Sequence, residues 1–142
     1  MEKKTPKEYL RQLRTAEIKI EQKEEELERL KSSLESISTG TDSERVQTTP
    51  RDKVSEDVPQ MVDLKREIES DIKALLILKN KIINEIQSMD NPVYINILYK
   101  RYVQYKSLEE IAVEMNYAYG YIKRIHGHAL LAFGKSKRGN QK

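Results

Sequence analysis

The chain has 142 residues, 37% of them hydrophobic and 35% charged, and a net charge of +3. The apolar positions alternate with charges three and four residues apart, which favours long solvated helices over one pooled core. No cysteine is present, which excludes disulfides, thiolate catalysis and zinc fingers together, and without Trp the packing must rely on Leu, Ile and Tyr.

The first element opens at Thr5-Pro6-Lys7-Glu8, a Thr cap with Pro at the first helical position and Glu at the third. Leu13, Ile20, Leu27 and Leu34 then recur every seven residues, with Tyr9, Ala16, Lys23, Leu30 and Ile37 at the companion positions. This is a heptad seam with one flaw, Lys23. The helix is expected to run to about Ile37, roughly 50 Å at 1.5 Å per residue. A polar linker over residues 38–57 follows, with Pro50 inside it.

A second long helix is expected from Pro59, with Met61, Ile68, Leu75, Ile82 and Met89 on one line and Leu64, Ile72, Leu78 and Ile86 beside it. Two such stripes are covered most simply by an antiparallel hairpin, a short coiled coil spanning residues 1–90. Ile77 and Ile83 widen the second stripe beyond a two-helix seam. The excess calls for a further contact, either a second copy of the chain or the C-terminal part folding back, and a homodimer through the coiled coil is the expectation. Asp90-Asn91-Pro92 ends this helix and caps a third, expected from Pro92 to about Tyr105, with Tyr99 and Tyr102 in the core.

Residues 107–133 have the layout of a helix-turn-helix within a domain over 91–134. Ser107 and Glu110 form a capping box, and Leu108, Ile111, Ala112 and Met115 share one face. Asn116 stands where a left-handed residue must end the helix. The second helix buries Ile122, Ile125, Ala129 and Phe133, leaving Tyr119, Gly120, Lys123 and Arg124 outward near its start, where recognition helices touch base edges. Tyr121 joins these as a candidate contact. Any two amphipathic helices joined by three residues share this outline, but charge favours the DNA reading. Residues 91–142 sum to +6 (nine basic, three acidic) against −3 for residues 1–90, and 135–142 is a basic tail.

The run Leu108-Glu109-Glu110-Ile111-Ala112, then Ile122-Lys123-Arg124-Ile125 and Ala129-Leu130, is similar without gaps to region 4 of bacterial sigma-70 factors. Leu98-Tyr99-Lys100-Arg101-Tyr102 resembles the end of the helix before that unit. The whole pattern resembles the sigma-70 region 4-like regulators of phages and prophages of Gram-positive bacteria, akin to the ArpU and RinA type late-gene activators. That resemblance implies an all-α fold, a helical hairpin followed by a helix-turn-helix, and a transcriptional regulator reading double-stranded DNA through the major groove. One departure is plain. Where sigma region 4 usually carries Arg-Glu-Arg, this chain has Tyr119-Gly120-Tyr121, which removes the side chains that read the −35 element.

Most of the affinity is expected from phosphate contacts by Lys100, Arg101, Ser107 at its helix N-terminus, His128, Lys135, Lys137 and Arg138, with Lys123 and Arg124 reading guanine. No enzymatic centre, cofactor or metal is expected: His126 and His128, two apart on a helix, diverge, and Glu109 and Glu110 serve the cap. The longest apolar run, Ala74 to Leu78, is too short to span a membrane, and no apolar segment follows Met1-Glu2-Lys3-Lys4 as an export signal. A cytoplasmic, nucleoid-associated protein of a bacterial host cell is expected. Two rivals stay open: an adaptor that docks on RNA polymerase, and a DNA-packaging subunit like a small terminase.

Overall fold

Thr5 and Glu8 close a reciprocal cap over the start of the first helix. The Glu8 N–H donates to Thr5 Oγ1 at 3.1 Å, and the Thr5 N–H donates to Glu8 Oε1 at 3.1 Å. The helix they open, α1, runs Pro6–Thr41, further than the Ile37 expected from the heptads. It passes through Ser38-Thr39-Gly40, which the sequence reading placed in the linker. The computed structural model describes residues 4–41 and 58–140, with side chains for 4–36 and 58–137. The rest of the expected linker lies outside the described residues.

Helix α2 spans Pro59–Gln87 and α3 spans Pro92–Leu98. Asn91 caps α3, its side chain accepting from the Val93 N–H at 2.9 Å and from the Tyr94 N–H at 3.4 Å, with Pro92 at the first position as expected. The third helix then departs from the sequence reading. It does not continue to Tyr105 as one α-helix but widens into a π-helical turn over Tyr99–Val103, in which the Gln104 N–H donates to the Tyr99 carbonyl at 3.1 Å. The chain leaves this turn through Tyr105, which sits at φ 62°, a left-handed conformation that costs a bulky side chain about 1–2 kcal/mol. Helix α4 covers Leu108–Met115 and α5 covers Tyr119–Asn140, so residues 135–140 of the basic tail continue that helix. All elements among the described residues are helical, and none is long and apolar enough to cross a membrane.

The chain divides into two compact units, Met1–Ala16 with Leu75–Lys142, and Glu17–Ala74. In the first unit, one cluster joins Leu10 and Leu13 of α1, Ile82 and Ile86 of α2, Tyr102 and Val103 of the π turn, and Ala129 and Phe133 of α5. A second cluster joins Ile97 of α3, Ile111 and Ala112 of α4, and Ile122 of α5, with Leu108, Met115 and Ile125 packed on it. Ile83, one of the two surplus isoleucines of α2, packs on the first cluster, whereas Ile77 is 71% exposed. The folding-back of the C-terminal part thus accounts for Ile83 and leaves Ile77 uncovered.

In the second unit the heptad residues Ile20, Met61 and Ile68 are buried. The flaw at Lys23 has a local explanation. Its ammonium lies 2.6 Å from Asp71 Oδ2 and 3.4 Å from Glu67 Oε1, so the charge that interrupts the α1 seam meets two carboxylates on α2. Asp71 and Glu67 are one helical turn apart and converge on it. The hydrogen bond to Asp71, followed by that to Glu67, holds the Lys23 pKa above its ordinary value.

Candidate nucleic-acid interface

The turn between α4 and α5 is fixed at both ends of α4. At its start the Glu110 N–H donates to Ser107 Oγ at 3.1 Å while the Ser107 N–H donates to Glu110 Oε1 at 2.8 Å, a capping box worth about 1 kcal/mol. At its end Asn116 takes φ 62°, ψ 45°, the left-handed conformation expected of it, and its N–H returns to the Val113 carbonyl at 3.2 Å. The Tyr117 N–H then donates to the Ala112 carbonyl at 3.0 Å. Ala112, buried and small, faces Ile122 in the same cluster, so α4 and the start of α5 lie close together.

That packing fixes which side of α5 is presented. Ile122, Ala129 and Phe133 are buried, while Tyr119, Gly120, Lys123, Arg124, Gly127, His128, Leu131 and Lys135 are exposed. At about 100° per residue, Gly120, Gly127 and Leu131 line up along the outward edge, with Lys123 about 60° to one side of Gly120 and Arg124 about 40° to the other. A methyl group built on either glycine would meet nothing within 4 Å. Packing within the chain therefore gives no reason for glycine there, although each costs a helix about 1 kcal/mol relative to Ala.

Aromatic rings carry the two cations. Lys123 Nζ stands 5.3 Å from the centroid of Tyr119, and the Arg124 guanidinium 5.5 Å from that of Tyr121. Tyr121 in turn rests 4.9 Å from Tyr117, which lies in the turn before α5 and was not among the expected contacts. A guanidinium over an aromatic face keeps its in-plane N–H donors available, the geometry that paired acceptors on guanine require.

The other expected phosphate contacts divide into those spent inside the fold and those left outward. Lys100 Nζ lies 2.7 Å from Glu114 Oε1, and Lys106 engages Glu114 Oε2, two hydrogen bonds that hold the Glu114 pKa below the usual carboxylate range. The Arg101 guanidinium donates to the Lys106 carbonyl at 2.9 Å. Ser107 is committed to its cap, and Glu109 and Glu110 in the same first turn make that N-terminus unwelcoming to an anion. Lys137 stands 4.0 Å over the Tyr9 ring and 3.7 Å from Glu85 Oε2. The phenol of Tyr9 donates to Glu85 Oε1 at 2.6 Å, and burial with this bond raises its pKa. Lys137 is thus engaged on the side of α5 away from Arg124. Lys135 and His128 remain outward; Arg138 belongs to α5, its side chain outside the described ones.

His126 is engaged as well. Its Nε2 lies 2.8 Å from the Tyr102 hydroxyl and the two rings stack. Burial, then the charges of Arg101, Lys7 and Arg11, push its pKa down from 6.5 to about 4, so it is neutral at pH 7. Among the described residues no cluster of His, Asp and Glu could hold a metal ion. No protein-family model, curated protein or solved structure matches this chain.

Proposed function

We propose that the protein is a sequence-specific, double-stranded DNA-binding transcriptional regulator of phage or prophage genes. In this reading α4 and α5 form a sigma-70 region 4-like helix-turn-helix, and α5 enters the major groove with its Tyr119 end. The observation that carries it is the outward edge of α5: Lys123 and Arg124 flank a bare glycine line and rest on tyrosine rings. Backbone can approach backbone along that line while the two cations reach to either side. Charge by compact unit supports the same reading. The unit containing α5 holds sixteen basic and seven acidic residues, and the other holds ten basic and sixteen acidic.

In this proposal α1 and α2 form the antiparallel hairpin, a reading supported by the Tyr9–Glu85 and Lys23–Asp71 pairs. The exposed Leu76 and Ile77 are the surface through which a second copy would be held. A docking role on RNA polymerase is the second reading. It is favoured by Val113, 79% exposed on α4, and Leu131, 65% exposed on α5, which leave apolar side chains on the surface of the same module.

Selection of bound sequences from random duplexes, followed by titration against salt, tests the proposal. The affinity is expected to fall steeply with ionic strength, with a log–log slope of roughly −4 for about four or five phosphates neutralised per chain. Arg124→Ala is expected to lower the preference for the selected site over random duplex about tenfold or more, in line with roughly 1–3 kcal/mol for a paired contact to guanine. Discrimination unchanged in Arg124→Ala would move the reading head elsewhere. A wild-type protein that binds no duplex but captures polymerase would favour the docking role.

A further inference from the structure

We infer that the first turns of α1 carry a second phosphate-binding surface, in which Lys7 and Arg11 grip the backbone of the duplex that α5 reads and the charge of Arg101, held in the fold, adds to their potential. The inference rests on the DNA-binding reading and extends it to the opposite end of the chain, which composition had assigned to an acidic scaffold.

Lys7 and Arg11 are four residues apart and exposed, so they project from one face of α1. Arg14 continues that face, and its guanidinium lies 4.9 Å from the centroid of Tyr105. Tyr105 precedes Lys106, whose carbonyl accepts from Arg101 at 2.9 Å. The basic face of α1 therefore borders the π turn, and the π turn borders α5 through the 2.8 Å contact of Tyr102 with His126. His126 stands seven residues after Tyr119 and three after Lys123, on the same flank of α5. A line of positive charge thus runs from Lys123 on the recognition helix, past Arg101, to Arg11 and Lys7.

Folding alone gives no reason for this arrangement. Positive charge in the first turns of a helix opposes the macrodipole. The charges acting on the His126 ring, Arg101, Lys7 and Arg11, are all positive, and they add to burial in lowering its pKa to about 4. Arg101 and Arg11 act on Tyr102 in the same sense, against the effect of its burial. Like charges gathered beside a half-buried ring repel one another, and they create the potential that attracts a polyanion. The phosphates of a duplex held by α5 supply the missing negative charge.

The double variant Lys7→Gln/Arg11→Gln tests this in the full-length protein. Both side chains are exposed, and removing positive charge from a helix start should leave the fold intact, which circular dichroism and the melting temperature check. We expect binding to selected and scrambled duplexes to weaken by the same factor, about tenfold, and the salt slope to flatten by about two. Arg11→Lys should retain near-wild-type affinity. By NMR, the His126 imidazole should titrate nearer its ordinary pKa in the double variant and also in wild type bound to duplex. A double variant that matches wild type in affinity and slope overturns the inference while leaving DNA binding standing. Absence of salt-sensitive binding by the wild type overturns the DNA reading and this surface with it.

Discussion

Phe133→Ala is expected to destabilise the protein by about 3–5 kcal/mol. Phe133 is 1% exposed and belongs to the cluster that joins four parts of the chain: α1 through Leu10 and Leu13, α2 through Ile82 and Ile86, the π turn through Tyr102 and Val103, and α5 itself. Its ring lies 6.0 Å from that of Tyr9. Truncation loses the transfer free energy of an aromatic ring and leaves a void that neighbours on three other elements cannot collapse to fill together. Urea denaturation monitored by tyrosine fluorescence and circular dichroism measures the loss. A cost below about 1 kcal/mol would mean that α5 does not pack on α1 and α2 in this way. Leu131→Ala, two residues earlier but 65% exposed, is the control and should change stability by less than about 0.5 kcal/mol.

The second large effect is on acid stability. In the folded protein His126 titrates at about 4, against 6.5 ordinarily, because burial and then Arg101, Lys7 and Arg11 disfavour its charged form. Above pH 6.5 the ring is neutral whether the chain is folded or not, and its contribution is fully present. As pH falls below 6.5 the unfolded chain takes up a proton that the folded chain refuses, so stability drops until the folded ring also titrates near 4. With the ring only half-buried and partly screened, the loss across that window is about 2 kcal/mol. Carboxylates titrate in the lower part of the same range, so the measurement is a difference. Wild type and His126→Gln are compared by urea denaturation from pH 7.5 to 4.5. The gap between them should shrink as pH falls; parallel curves would show that the ring is solvated.

What the sequence disclosed and what it hid separate along a physical line. Features fixed by a single residue or by neighbours within seven positions were legible: the Thr5–Glu8 and Ser107–Glu110 caps, Asn91-Pro92 at the start of α3, the left-handed Asn116, and the successive steps of the buried stripe Ile122, Ala129, Phe133. Each depends on backbone geometry that the local side chains dictate. The π turn at Tyr99–Val103 and the left-handed Tyr105 were not legible, since neither Tyr nor Val favours such a backbone and Tyr102 and Val103 pack against residues of α1 and α5 distant in sequence. The fate of the cations was hidden for a related reason. Lys100 meets Glu114 fourteen residues away, Arg101 turns to a carbonyl, and Lys137 reaches Glu85 and Tyr9 from the far end of the chain. Charge counting cannot tell such a spent cation from Arg124. It located the basic region but did not single out Lys7 and Arg11, whose positions in sequence lie among residues that sum to a negative charge.

The cluster around Phe133 also governs how the chain can be cut. An excised piece beginning at Asn91 would retain Ile97, Ile111 and Ile122 but would turn Tyr102, Val103, Ala129 and Phe133 toward water, and it should aggregate or stay molten. The compact unit that holds this cluster is discontinuous in sequence, Met1–Ala16 with Leu75–Lys142. A dissection that respects sequence order would discard the strip of α1, with Leu10 and Leu13, that packs on Ala129 and Phe133 of α5.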